Sequence, residues 1–137
     1  SEGVEGLTGN ESQDKMMNAL LKLVKRHDIH IGLVSHLRKT PNQSKGFEEG
    51  KMPTLDSIRG SGSVKQISMD IIGFSRNMSA EDEIERNTVE MAVLKCRHTG
   101  LTGPIEGCFY KFDTGRLLRF STAMEQQAAE EIIKVGF

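Results

Sequence analysis

The chain has 137 residues, of which 36% are hydrophobic and 27% charged, and its formal net charge is −1 at neutral pH. These values fit one globular domain with a buried core and exclude a disordered chain. No apolar run approaches the roughly 20 residues of a membrane-spanning helix, and the N-terminus lacks the basic and apolar regions of a signal peptide. Cys96 and Cys108 have neither CxxC nor HxxxH spacing, so we expect free thiols in a reducing cytoplasm and no zinc site.

The first predicted element is an amphipathic helix over residues 12–27. Its apolar residues recur at helical spacing and form one stripe: Met16, Leu20, Leu23 and Val24. The next segment, His30–Ser35, is nearly continuous in apolar residues, which is typical of a strand buried on both faces of a parallel sheet. A helix followed by such a strand is half of a βαβ unit, so the sequence predicts an α/β fold.

The rest of the chain alternates loops with short strand patterns. Residues 37–53 form a long polar loop, and loops of this length are usually functional. Residues 55–66 are predicted to contain short helical turns. Strands are predicted at four places, in two hairpin-like pairs: residues 67–75, 88–96, 107–112 and 117–120. We therefore divide the chain into a domain, residues 1–120, and a tail, residues 121–137, that is either an outer helix or a mobile end.

Two glycine motifs resemble nucleotide-binding loops but do not meet their requirements. Gly46–Lys51 has three residues between its glycines instead of four, and Met52 stands where a phosphate-binding loop needs serine or threonine. Its two glutamates would also repel phosphate. Gly60 and Gly62 lack the third glycine of a dinucleotide motif and follow no clear strand. We therefore expect that this chain does not bind a nucleotide by itself.

The first group of candidate site residues follows the predicted strand. His36 stands where α/β sheets place ligands and could touch a γ-phosphate, although a lone histidine is more often structural. Arg38, Lys39 and Lys45 could neutralise DNA phosphates, the alternative being a solvated basic loop. Arg59–Gly62 allows backbone N–H groups to approach an anion, or else forms a plain helix-capping turn.

The second group lies on the predicted hairpins. Lys95 and Arg97 are two residues apart at a strand end, so their side chains point to the same side. A planar, permanently charged arginine there could stabilise charge on a transferring phosphoryl group, whereas a basic strand end facing water is the alternative. Tyr110 and Arg76 could both stack on a base, although each alone is more often a surface or edge residue.

Taken in order, these motifs resemble the hexameric replicative DNA helicases of the DnaB and Twinkle class, and in particular the bifunctional primase–helicases of short-tailed phages. The resemblance covers about residues 12–120 and rests on three blocks in combination: Val34–Lys39, Arg59–Gly62 and Lys95–Gly100. It implies a partial RecA-like P-loop NTPase fold that lacks the half carrying the P-loop. It also implies a ring of identical subunits around single-stranded DNA, with ATP or dTTP and Mg²⁺ bound between subunits.

The resemblance assigns a role to each candidate residue. His36 matches the phosphate sensor, and Arg97, with Lys95 beside it, matches the arginine finger that reaches a neighbour's γ-phosphate. Tyr110 and Arg76 match the pair that holds the nucleotide base. The remaining candidates match DNA-facing loops: Arg38, Lys39, Lys45, Gly60 and Lys65.

The function implied is NTP-dependent unwinding of DNA by an enzyme of which this chain is a part. The family's P-loop, catalytic glutamate and metal-holding aspartate precede the matched motifs and do not occur in this sequence, so we expect the chain alone not to hydrolyse ATP. We expect a location in the host cytoplasm, no membrane partner, and a tail that could contact other replication proteins. The alternative is a non-catalytic module that binds single-stranded DNA or joins a helicase ring.

Overall fold

The computed structural model describes residues 9–39, 46–60 and 62–136. These ranges form helices and strands in the following order: α1 (Gly9–His27), a 3₁₀ turn (Leu55–Ser57), α2 (Gly62–Ile67), β1 (Asp70–Arg76), α3 (Glu83–Asn87), β2 (Thr88–Cys96), β3 (Gly103–Lys111), β4 (Arg116–Arg119) and α4 (Phe120–Lys134). The predicted combination of helices and strands is confirmed. Within the described ranges, no helix has the length and apolar character needed to cross a bilayer.

The four strands form one sheet in the order β1-β2-β3-β4, and every neighbouring pair is antiparallel. Asp70 lies opposite Cys96 and Arg76 opposite Val89, so β1 and β2 pair along their whole length. The predicted parallel sheet is therefore wrong for the described residues. Consecutive strands here are joined by short connections, which suffice for antiparallel neighbours, whereas parallel neighbours need a long crossover.

The segment His30–Ser35, predicted as a buried strand, is extended but is not part of the sheet. Val34 is 92% exposed. A strand needs hydrogen-bonding neighbours, and among the described residues the nearest pairing is a single antiparallel bridge between Leu37 and Ile58. Apolar character alone thus predicts an extended backbone here, but not the partners that would make it a strand.

Helix α1 confirms the predicted helix over residues 12–27, and Leu20 of the predicted stripe packs against the apolar core, but the buried face is shifted from that stripe. Met17 is only 4% exposed, whereas the predicted core residues Met16 and Leu23 are 43% and 45% exposed. Met17 packs with Ile58 and Val64, which joins α1 to the 3₁₀ turn and α2 in one apolar cluster. The buried face is centred on Met17 because that is where α2 lies against the helix.

The predicted hairpins are confirmed with shifted ends. β2 has the predicted limits, while β1 begins three residues later than predicted because Ile67 ends α2. The helical alternative for the tail is also confirmed: α4 packs against β3 and β4, and its Ala123 is 3% exposed. The opposite face of the sheet stays open and carries exposed apolar side chains: Ile72, Phe74, Ile105 and Leu117.

Candidate functional site

An open groove of about 470 Å³ lies between the N-terminal end of α1 and the extended segment that ends at His36. Arg59 and Gly60 also line it, and the Arg59 backbone N–H donates to the His36 carbonyl at 3.0 Å. Gly60 has a φ of +109°, and a Cβ there would lie 2.1 Å from the Gln13 side chain. The positive φ favours glycine at this position, whereas the contact with the end of the flexible Gln13 side chain could be relieved by moving that side chain.

The basic residues beside this groove differ in how their charges are placed. Arg38 and Lys39 are exposed, and the Arg38 N–H donates to the Ser57 carbonyl at 2.8 Å. The Lys65 ammonium lies 3.2 Å from the Asp56 carboxylate, so its charge is partly compensated. Lys45 lies outside the described residues. Arg38 is thus held next to the 3₁₀ turn, on the same side of the molecule as the start of α2.

Lys95 and Arg97, at the end of β2, both reach the last turn of α2. The Lys95 ammonium donates to the Lys65 carbonyl and, at 3.2 Å, to the Gln66 carbonyl. The Arg97 guanidinium donates to the same Gln66 carbonyl, and the Arg97 backbone N–H donates to Met69 at 2.9 Å. Carbonyl groups in the last turn of a helix have no N–H partner within the helix and carry partial negative charge. Cationic side chains are therefore stabilised next to them.

Burial lowers the pKa of the Lys95 ammonium below its usual value, and the positive charge of Arg97 nearby lowers it further. Two like charges are thus gathered at one place although they repel each other. Such an arrangement is common where a protein binds an anion, but structural networks also produce it.

Arg76 and Tyr110, predicted as a pair, do contact each other. The Arg76 guanidinium carbon lies 4.7 Å from the centre of the Tyr110 ring, which is within the range of a cation–π interaction. Arg76 Nε donates to the Arg86 carbonyl and Arg76 Nη2 to the Asn87 side-chain oxygen, each at 2.7 Å. The edge of Phe112 meets Tyr110 with ring centres 6.4 Å apart. The sheet therefore presents a fixed guanidinium and an aromatic ring on one face.

The structure separates the predicted site residues into two groups. The α2 cluster surrounds α2 and the groove, and consists of His36, Arg38, Gly60, Lys65, Lys95 and Arg97. The stacking pair is Arg76 with Tyr110. Cys96 lies opposite Asp70 at one end of β1, and Arg76 ends the same strand six residues on. At about 3.3 Å per residue, the two groups are roughly 20 Å apart.

Some residues that shape these groups were not among the predictions. Asp82 caps α3 by accepting from the Glu85 N–H at 2.8 Å, and its spacing of three residues from a glutamate is a readable helix-start signal. Asn87, which contacts Arg76, follows no pattern that sequence alone would single out. The Gln66 carbonyl is a backbone group, so its role depends on the fold and not on the side chain.

Among the residues that the structure describes, no three or more His, Cys, Asp or Glu side chains gather in a way that could hold a metal ion. The Mg²⁺ implied by the resemblance stays a prediction, because Mg²⁺ is usually held by one or two carboxylates together with phosphate and water.

Comparison with known proteins relates the chain to a phage DNA helicase/primase. No protein-family model matches the chain. The chain is similar to a DNA helicase/primase of Enterobacteria phage T3, with 35% identity over 104 residues, which is 76% of this chain. It spans 18% of the length of that protein.

Proposed function

From the relationship of this chain to the DNA helicase/primase of phage T3, we propose that it forms part of an NTP-dependent replicative DNA helicase. In this proposal the α2 cluster provides the phosphate sensor, the arginine finger and part of the DNA contact. The observation that supports it most is the meeting of Lys95 and Arg97 with the helix that carries Lys65. Residues proposed for nucleotide sensing, at the end of β2, thereby meet a residue proposed for DNA contact at one short helix, α2.

Arg97 is suited to act as an arginine finger. Its planar guanidinium offers five donors and is always charged, so it can stabilise the charge of a transferring phosphoryl group. The Met69 carbonyl fixes its backbone at 2.9 Å, while the side chain is exposed and held by the Gln66 carbonyl. To reach a phosphate on a neighbouring subunit, the guanidinium would exchange that carbonyl for phosphate oxygens. A bound nucleoside triphosphate supplies the phosphoryl group for this chemistry.

Helix α2 is the proposed link between nucleotide and DNA. Its last-turn carbonyls accept hydrogen bonds from Lys95 and Arg97, and its Lys65 is proposed to contact DNA. If Arg97 binds phosphate in one state and the Gln66 carbonyl in another, the hydrogen bond from Arg97 to α2 is present in only one of the two states. A ligand that prefers one state then shifts the position of the DNA-contacting residues by its differential affinity.

The stacking pair is proposed to hold the base of a different nucleotide. Roughly 20 Å of β1 separates Arg76 from the strand end that carries Arg97, as estimated from the rise of a strand. This separation supports a ring in which one subunit contributes to two nucleotide sites, one on each side. Identical subunits arranged head to tail close into such rings.

We further propose that the described elements belong to a RecA-like motor domain whose P-loop half comes from other residues of the same protein. Two observations support this. Val34 is 92% exposed in the segment before His36, and one face of the sheet exposes four apolar side chains. Soluble proteins rarely leave contiguous apolar surface open, and a larger domain would cover it.

The test replaces the matched 104-residue region of the phage T3 protein with the corresponding residues of this chain. We expect the chimera to hydrolyse NTP faster when single-stranded DNA is added. A chimera that assembles and binds DNA but shows no DNA-stimulated hydrolysis would instead favour the alternative, a non-catalytic DNA-binding or ring-partner module.

A further inference from the structure

We infer that Asn87 is a positioning residue: its buried side-chain oxygen holds the Arg76 guanidinium over the Tyr110 ring. The nucleotide-binding consequence of this inference rests on the proposed function, whereas the contact itself does not. Asn87 is 6% exposed, and its Oδ1 accepts from Arg76 Nη2 at 2.7 Å. The residue belongs to neither group of predicted site residues and is hydrogen-bonded to Arg76 of the stacking pair.

Two hydrogen bonds on different nitrogens fix the orientation of the Arg76 guanidinium. Nη2 donates to Asn87, and Nε donates to the Arg86 carbonyl at 2.7 Å. A single bond would let the planar group rotate about its donor, whereas two bonds to neighbouring residues define its plane and position. The guanidinium carbon then lies 4.7 Å from the centre of the Tyr110 ring.

The connection between β1 and β2 holds Asn87 in place. Asp82 caps α3, which ends at Asn87, and the Arg86 side chain donates to the Ala80 carbonyl at 3.1 Å. Asn77 donates to the Glu85 carboxylate at 2.9 Å and ties the start of the connection to α3. These hydrogen bonds hold the connection in one conformation. The two acceptors for Arg76, the Asn87 side-chain oxygen and the Arg86 carbonyl, are therefore already in position.

Preorganisation is what makes this contact relevant to a nucleotide. A long arginine side chain loses rotamer freedom when it stacks on a ligand, which reduces affinity. Asn87 and the Arg86 carbonyl order the Arg76 side chain before any ligand binds. A base that stacks on the pair therefore binds without the full loss of Arg76 side-chain entropy. Without the Asn87 oxygen, one donor of the half-buried Arg76 would lose its partner, and the guanidinium would be free to leave the ring.

The experiment measures the chemical shifts of the Arg76 side-chain protons by NMR in the full chain. Tyr110 is the single tyrosine and the chain has no tryptophan, so Tyr110→Leu defines the ring-current shift that Tyr110 causes. We expect Asn87→Ala to remove most of that shift and Asn87→Asp, which keeps an acceptor oxygen, to retain it. The matched control is Asn77→Ala, which loosens the same connection without touching Arg76 and should also retain the shift.

A folded Asn87→Ala chain that retains the full Arg76 shift overturns the inference. Should that variant not fold, Asn87→Ser removes the reach of the side chain while keeping a small polar group, and the same expectation applies to it. Loss of the shift in Asn77→Ala to the same extent would likewise overturn the inference, because the effect would then belong to the connection and not to Asn87.

Titration of the phage T3 chimera with ATP separates this inference from the proposed function, because the chain alone is not expected to bind a nucleotide. If the stacking pair holds a base, Arg76→Ala and Asn87→Ala should each weaken ATP binding by about fivefold or more, the lower range for the loss of one stacking contact. Asn87→Asp should weaken it less. Equal ATP affinity in all variants would remove the base-holding role, while the Arg76 shifts would still decide whether Asn87 positions the guanidinium.

Discussion

Lys95 and Arg97 donate hydrogen bonds to neutral backbone carbonyls, whereas Lys65 pairs with a charged side chain. Lys65 pairs with the Asp56 carboxylate, which compensates its charge. The hydrogen bonds of Lys95 and Arg97 to α2 go to neutral acceptors, so the positive charge at this strand end is retained. A site that attracts phosphate requires such uncompensated charge. Lys95 and Arg97 are therefore better placed than Lys65 to bind an anion.

The first prediction concerns the lowered pKa of Lys95. Arg97→Gln removes the nearby positive charge and should raise the pKa of Lys95, but only part of the way, because burial, the larger cause, remains. An NMR titration of the Lys95 side chain in the parent and the variant measures this. Because the folded state releases this proton at lower pH than the unfolded state, Lys95 makes the free energy of unfolding rise with pH between the two pKa values. An unchanged or lower pKa in Arg97→Gln would show that the two charges do not interact.

A second prediction concerns Gly107 in β3. A Cβ at this position would lie 2.6 Å from the Val89 carbonyl oxygen, beside an irregularity in the pairing of β2 and β3. Backbone must therefore shift, and Gly107→Ala should lower the free energy of unfolding by about 1–3 kcal/mol in urea denaturation. The matched control is Gly32→Ala, where a Cβ meets nothing within 4 Å and the change should stay within about 0.5 kcal/mol. Equal stability of the two variants would refute the close approach.

Sequence was sufficient to predict some contacts of single residues and not others. Spacing of two residues predicted that Lys95 and Arg97 act on the same side, and both reach the Gln66 carbonyl. The resemblance predicted that Arg76 and Tyr110 together hold a nucleotide base; the two side chains contact each other, and the base-holding role stays a prediction. The role of Asn87 could not be predicted, because its contact with Arg76 depends on how β1, α3 and β2 meet.

At the scale of elements, prediction is accurate where local interactions determine the structure and inaccurate where distant residues do. β2 and the final hairpin are specified by local alternation and turn residues; the limits of β2 are confirmed, and the hairpin is confirmed with β3 beginning four residues earlier than predicted. The segment His30–Ser35 has the composition of a strand, yet pairing requires distant partners that composition does not specify. The buried face of α1 was misjudged by one residue for the same reason, since the position of α2 determines it.

Substitutions test directly that Met17, and not the predicted Met16, is buried in the core. Met17→Ala should lower the free energy of unfolding by about 2–5 kcal/mol, because it leaves a cavity against Ile58 and Val64. Its neighbour provides the control: Met16 is 43% exposed, and Met16→Ala should change stability by no more than about 0.5 kcal/mol. Thermal or urea unfolding compares them, and a larger loss in Met16→Ala would restore the stripe predicted from sequence.

At the scale of the whole molecule, the two groups of candidate residues lie apart. The α2 cluster lies at the start of β1 and the stacking pair at its end, so the chain has two distinct surfaces for the proposed nucleotide contacts. Among the described residues, helix α4 packs against β3 and β4 on one face of the sheet, and the other face exposes apolar side chains. Because the chain spans 18% of the phage T3 protein, the activity of the complete assembly is a proposal built on these surfaces.

The proposed DNA contact predicts how binding depends on salt. The full chain should bind a labelled single-stranded oligothymidylate. Each phosphate contact contributes roughly 0.7 to the slope of log affinity against log salt concentration. Replacing Arg38, Lys39 and Lys65 with alanine should therefore reduce the steepness of that slope by about 2. Fluorescence anisotropy at several salt concentrations measures the slope. The control replaces three exposed basic residues of β4 and α4: Arg116, Arg119 and Lys134. A similar reduction in the control would show that binding follows total charge and not these residues.

The most direct test of the central claim is the rate of DNA-stimulated NTP hydrolysis by the phage T3 chimera with Arg97→Ala. Arg116→Ala, another exposed arginine of the sheet, is the control. If Arg97 is the finger, its loss should reduce DNA-stimulated hydrolysis by about 10³-fold or more while leaving nucleotide binding largely intact, and Arg116→Ala should behave like the parent. Undiminished hydrolysis in Arg97→Ala would contradict the assignment and leave the α2 cluster as a DNA-binding surface alone.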